Sequence, residues 1–151
     1  MSWYDDGVSK EIEWLYDAGG TKLQKIVERG GVQISDRDYS GNIEYEDQTL
    51  DKIYHSEGYL NSNFDYLYFL RDHLNTPRVT FEDNNSTPSI VSQFHTFPYG
   101  APIKELSANV QTNDRTYNEK ELENDFGLDW FDYGARQRGV WSPPWGQIDP
   151  L

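Results

Sequence analysis

The chain has 151 residues, a formal charge of −13 and no cysteine. That length holds one domain or part of one, with about 70% of its extended surface available for burial. The charge opposes nucleic acid and anionic membranes, and the absence of thiols excludes disulfides, thiolate metal sites and cysteine nucleophiles. Neither a nucleic-acid partner nor membrane insertion is therefore expected. The charge serves solubility first; the sharper reading is a basic partner, such as a cationic effector or an adjoining segment. Eleven Tyr, seven Phe and five Trp stand against 36% hydrophobic residues overall. The core is expected to be aromatic, and the bias is toward β-structure.

In chain order, Met1–Asp6 is acidic and carries no apolar run, so it is not a signal peptide. A weak repeat follows, with an acidic residue three before a Gly and then an apolar residue. Its clearest copy is Tyr16-Asp17-Ala18-Gly19-Gly20-Thr21-Lys22-Leu23. Asp38-Tyr39-Ser40-Gly41-Asn42-Ile43 and His55-Ser56-Glu57-Gly58-Tyr59-Leu60 vary it, and Asp83-Asn84-Asn85-Ser86 keeps the Asp without the Gly. Asp or Asn starts a turn through its own backbone and Gly supplies positive φ, which is hairpin chemistry. Strands are predicted at 22–27, 42–45, 66–70, 78–81 and 90–97. Short strands between such turns specify an all-β chain of consecutive antiparallel hairpins. Lys120–Glu123 reads as one helical turn, and 127–133 returns to strand composition. The three prolines between Trp141 and Leu151 exclude regular structure, so an extended Pro/Trp-rich tail is placed at 137–151 after a β-domain at 1–136.

Four segments stand out: Asp72-His73-Leu74-Asn75-Thr76-Pro77-Arg78, Thr96-Phe97-Pro98-Tyr99-Gly100, Trp130-Phe131-Asp132-Tyr133-Gly134-Ala135-Arg136 and Asp149-Pro150-Leu151. In order and spacing they resemble the C-terminal core region of the Rhs (YD-repeat) family. The family pattern runs D-H-L-G-T-P-R, Y-P-F-G, Y-D-Y-G-A-R, D-P-L. The segment 113–122 resembles its Y-N-G-K-E-L, with Glu119 where the pattern has Gly. The resemblance implies a spiral β-shell that holds a toxic polypeptide, with this region at the closing end. The motif residues are Asp72, His73, Pro77, Arg78, Pro98, Gly100, Tyr133, Gly134 and Arg136. In the first motif Asp72 is expected to cap the backbone, His73 to pack, and Arg78 to pair with an acidic neighbour. The family further implies a secreted or cell-surface setting.

Three chemistries are open. Family members end in an aspartate-dependent self-cleaving segment, P-x-x-x-x-D-P, which Pro144–Pro150 supplies with Asp149. The upstream Y-D-P is replaced by Arg138-Gly139-Val140, so one of two carboxylates is missing, and aspartyl chemistry needs both. Asp36, Asp38, Ser40 and Asp47 fall at positions one, three, five and twelve of a calcium-loop pattern, with Gly41 at six. Asp stands at twelve instead of Glu and no helix leads in, so a turn and strand without metal is the preferred reading. His55, His73 and His95 form no close pair, and no cofactor is expected. The five Trp offer a carbohydrate or protein surface, or core.

The reading is a structural shell segment acting through strand edges. Its partners would be a neighbouring YD-repeat shell, a toxin, or a second copy in a homo-oligomer. The alternatives are the Asp149 autoprotease and a binding module, adhesin-like or toxin-neutralising. Met1 and the altered 138–145 stretch favour a divergent stand-alone piece.

Overall fold

A computed structural model describes residues 1–110, 113–134, 136–141 and 145. Ten strands form one sheet in sequence order: β1 Ser2–Asp5, β2 Val8–Tyr16, β3 Lys22–Arg29, β4 Val32–Ser40, β5 Ile43–Glu46, β6 Thr49–His55, β7 Gly58–Asn61, β8 Tyr66–Arg71, β9 Pro77–Asn84 and β10 Thr87–Gln93. A second sheet holds β11 Glu121–Glu123, β12 Trp130–Asp132 and β13 Gln137–Gly139. No helix is long and apolar enough to cross a membrane among the described residues. The expected all-β chain of consecutive hairpins is what forms.

Two kinds of turn recur along the chain. Two-residue turns with positive φ at both positions join β1–β2 at Asp6-Gly7, β3–β4 at Gly30-Gly31, β5–β6 at Asp47-Gln48 and β9–β10 at Asn85-Ser86. Their twist matches that of the flanking strands. The second is a five-residue loop, closed by a bond from the N–H of its first residue to the C=O of its fifth. A second bond runs from the fourth N–H back to the first C=O. It occurs at 17–21, 72–76, 97–101 and 116–120. The fourth residue is left-handed each time: Gly20, Asn75, Gly100 and Glu119.

The chain forms two compact units, Met1–His55 with Leu60–Phe64, and Ser56–Tyr59 with Asp65 onward. In the first, Ile12 opposes Val27 and both are buried. The same face carries Lys25, Glu44 and Lys52, all buried, so the aliphatic core here is thin. Arg37 pairs with Glu46 at 2.7 Å on that face. In the second unit Leu67, Phe69, Thr80 and Ser92 are buried along β8–β10, with Tyr59 against Phe69 at 5.7 Å between ring centroids. Gly58 permits this packing, since a Cβ there would lie 1.9 Å from the Leu67 carbonyl oxygen. A second cluster joins Ala101, Tyr117, Phe131 and Val140, flanked by Leu122 and Tyr133.

Two expectations are corrected. Residues 121–123 form β11, not a helical turn, because Leu122 pairs with Phe131 and tertiary pairing overrides a weak local propensity. Asn118, at φ 54°, reverses the chain just before it. His73 is exposed and does not pack. Beyond position 136, Gln137–Gly139 continues the small sheet by pairing with β12.

Candidate functional site

Three of the Rhs-like motifs, at 72–78, 96–100 and 130–136, lie in the second unit and meet there; the fourth, at 149–151, lies outside the described residues. Asp72 Oδ1 accepts from the N–H groups of Leu74 at 2.8 Å and Thr76 at 3.0 Å, closing the 72–76 loop. Asp72 Oδ2 accepts from Arg78 at 2.8 Å. Arg78 reaches on to Thr96 Oγ1 at 3.2 Å, so the first motif holds the start of the second. Burial works to raise the Asp72 pKa; the two N–H donors and the Arg78 guanidinium outweigh it and hold the carboxyl below its ordinary value. Pro77 opens β9 in a buried position, a strand start where its missing N–H is tolerated. Thr76 is fully buried, and its hydroxyl accepts from Asn118 N–H at 3.2 Å.

The second motif turns at Pro98-Tyr99-Gly100. Pro98 C=O accepts from Tyr117 Oη at 3.0 Å. Gly100, at φ 92°, lies flat on the aromatic cluster. A Cβ there would come within 2.6 Å of Tyr117 Cγ and 2.8 Å of Phe131 Cε2. In the third motif Tyr133 N–H donates to Arg136 C=O, and Gly134 N–H donates to Asp132 Oδ1 at 2.7 Å. The Tyr133 ring meets Trp145 edge-on at 5.0 Å, and the Arg136 guanidinium sits 4.1 Å from the Trp145 centroid.

Arg138, which the sequence marks only as a departure from Y-D-P, is a cation set among these rings, as Lys120 is over Tyr133 at 5.3 Å. Its guanidinium lies 5.2 Å from Tyr117, 5.7 Å from Phe131 and 5.8 Å from Tyr133, and it donates to the Tyr99 carbonyl. Cation–π attraction and a backbone bond together tie β13 to the second motif. Its register opposite Phe131 is a long-range fact with no local sequence signal.

The other candidates do not converge here. Asp149 lies outside the described residues. Asp36, Asp38 and Ser40 belong to β4 and Asp47 to the turn between β5 and β6. Asp36 Oδ1 accepts from Gln24 at 2.8 Å, and Asp47 Oδ1 accepts from Asp36 N–H at 3.1 Å. Those carboxylates serve the ladder. A different trio, Glu121, Glu123 and Asp132, brings its oxygens within 4.8 Å of one another on the small sheet.

One edge of the large sheet is covered in this unit. Gln93 and Ala108 exchange backbone bonds at 3.0 and 2.9 Å, Asn109 Nδ2 donates to Val91 C=O, and Ser107 Oγ bonds both His95 N–H and C=O. Pro88 stands at a position whose N–H would face outward from β9, and proline has none to offer. In the first unit the register of β1 leaves Ser2 and Tyr4 outside the hydrogen-bonded pairs, so their N–H and C=O groups face away from β2.

A sheet of sequential hairpins ending in a small aromatic-packed sheet is an Rhs-like fold. No protein-family model and no curated protein matches the sequence. Among solved structures, the crystal structure of TcdB2-TccC3 is similar at a TM-score of 0.73 and 18% identity, over 98% of this chain and 8% of that one. The chain thus spans a small fraction of its structural neighbour.

Proposed function

We propose that this chain is a structural segment of an Rhs-like β-shell, its closing end, working through strand edges rather than bond-making. The observation that carries the reading is the asymmetry of the edges. The β10 side is covered by the 103–109 segment and blunted by Pro88, while β1 presents outward-facing groups at Ser2 and Tyr4. A covered edge suits the end of a spiral, and a bare edge suits continuation by another strand. The similarity to TcdB2-TccC3 supports the same role, as does the way three motifs knit the covered end together. The partner would be a neighbouring YD-repeat sheet or a second copy, docking at β1.

Size-exclusion chromatography with light scattering tests this across a wide concentration range. Concentration-dependent association is expected, abolished by Tyr4→Pro, which removes an outward N–H. A protein that stays strictly monomeric at high concentration, with or without that substitution, counts against the reading.

A further inference from the structure

A cleft of about 430 Å³ lies in the second unit, between the 102–110 segment and the turns on either side of β11. Its volume falls in the range of small-ligand sites. We propose that it binds a zwitterion, an α-amino acid with an apolar side chain. The inference rests on the cleft alone and stands or falls apart from the shell reading.

Part of the lining is committed to the fold. Ser107 Oγ bonds the His95 backbone, Asn109 Nδ2 donates to Val91 C=O, and the Asn113 carboxamide bonds both the N–H and the C=O of Arg115. Other lining groups are not. Among the described residues, the side chains of Lys104 and Asn124 make no hydrogen bond or ion pair. Asp129 engages Oδ2, which accepts from the indole N–H of Trp141 at 3.4 Å, and keeps Oδ1 for a ligand. Lys104 and Asp129 therefore share one cleft, carry opposite charges and do not pair with each other.

Unmatched charges of both signs in one lining select a ligand that carries both. An anion is opposed by Asp114 and Asp129, a simple cation is opposed by Lys104, and a neutral hydrophobe leaves Lys104 and Asp129 unsatisfied. The carboxylate of an amino acid suits the Lys104 ammonium, and its ammonium suits Asp129 Oδ1. The Trp141 indole, 63% exposed and tied to Asp129, adds a ring whose face attracts an ammonium. The Asp129 backbone is held in place: it is left-handed at φ 51°, and its C=O accepts from Val140 N–H at 3.0 Å. Pro102, Val110 and Leu122 supply an apolar wall for the ligand's side chain.

NMR titration of the full chain tests the site with valine, leucine, methionine and phenylalanine as probes. Two analogues of leucine, each lacking one charge, serve as controls: 3-methylbutylamine and 4-methylpentanoate. At least one amino acid is expected to bind in the millimolar range or tighter, and each analogue about tenfold more weakly than leucine. Lys104→Met should weaken leucine about tenfold and leave 3-methylbutylamine unchanged. Asp129→Asn, which keeps a residue tolerant of left-handed backbone, should weaken leucine about as much and leave 4-methylpentanoate unchanged. Far-ultraviolet dichroism of both variants should match the parent. Silence from every amino acid, an analogue that binds as tightly as leucine, or leucine binding unchanged in both variants overturns the proposal.

Discussion

Asp17 and Asp72 head loops of one geometry in two different settings. Each carboxylate accepts from the N–H groups two and four residues on, and each loop closes through the same pair of backbone bonds. Both carboxyls are held below their ordinary pKa: at Asp17 the Thr21 N–H leads, whereas at Asp72 several donors overcome burial. The difference is what the second oxygen does. Asp72 Oδ2 binds Arg78, whose guanidinium runs on to Thr96, and the fifth residue, Thr76, is buried against Asn118. Asp17 closes only its own hairpin. An identical local device is a turn in one place and a junction of motifs in the other, so loop geometry alone does not mark a functional position.

The sharpest test compares glycines that share the fourth place of the loop. Gly100→Ala forces a Cβ into Tyr117 and Phe131 at positive φ, and a loss of about 3 kcal/mol or more is expected in urea unfolding. Gly20→Ala meets no atom within 4 Å and should cost only the left-handed strain, about 1 kcal/mol. Equal losses at the two sites would erase the proposed difference.

Asp72→Asn should come next, at about 2 kcal/mol, since it cuts a charge-assisted bond to Arg78 from a side chain only 18% exposed. Asp17→Asn should lower the melting temperature less. The effect at Asp72 depends on pH with a definite sign. A carboxyl with a depressed folded pKa stabilises above its unfolded value, about 3.9, and that contribution fades as pH falls through the folded value. The melting-temperature gap between parent and Asp72→Asn should therefore be full at neutral pH and close on acidification below about pH 4. A gap that persists in strong acid would remove charge from the explanation.

The smallest effect is a gain. Phe64 is exposed and stands at φ 65°, in a turn opened by Asn61, whose Oδ1 accepts from Asn63 N–H. Phe64→Gly should relieve strain and stabilise by up to about 1 kcal/mol, read as a shift in urea midpoint.

Much of the large sheet is legible in the amino-acid sequence, because its hairpins are punctuated by Asp, Asn and Gly at positions that need positive φ. Asn84–Ser86 and Asp17–Gly20 show this directly. Asp6-Gly7 carries an equally plain two-residue signal but does not fit the spacing of an acidic residue three places ahead of Gly. Asp47-Gln48 carries almost none, since neighbouring strands impose its left-handed pair. In the small sheet the signal weakens further. Its strands have three residues each, and their register rests on Phe131 meeting Leu122 and Arg138 across the chain. The motif residues are visible as a pattern, but Arg138 and Asn118 become important only through where distant segments bring them.

The two rims of the ten-stranded sheet have a consequence for aggregation. Head-to-tail stacking of copies would require β10 of one molecule to receive β1 of the next, and the proline and its covering segment deny that step. The remaining encounter is β1 against β1, which uses up the free groups on both molecules at once. Such pairing halts after two, so concentrated solutions should yield a bounded assembly and no fibrils.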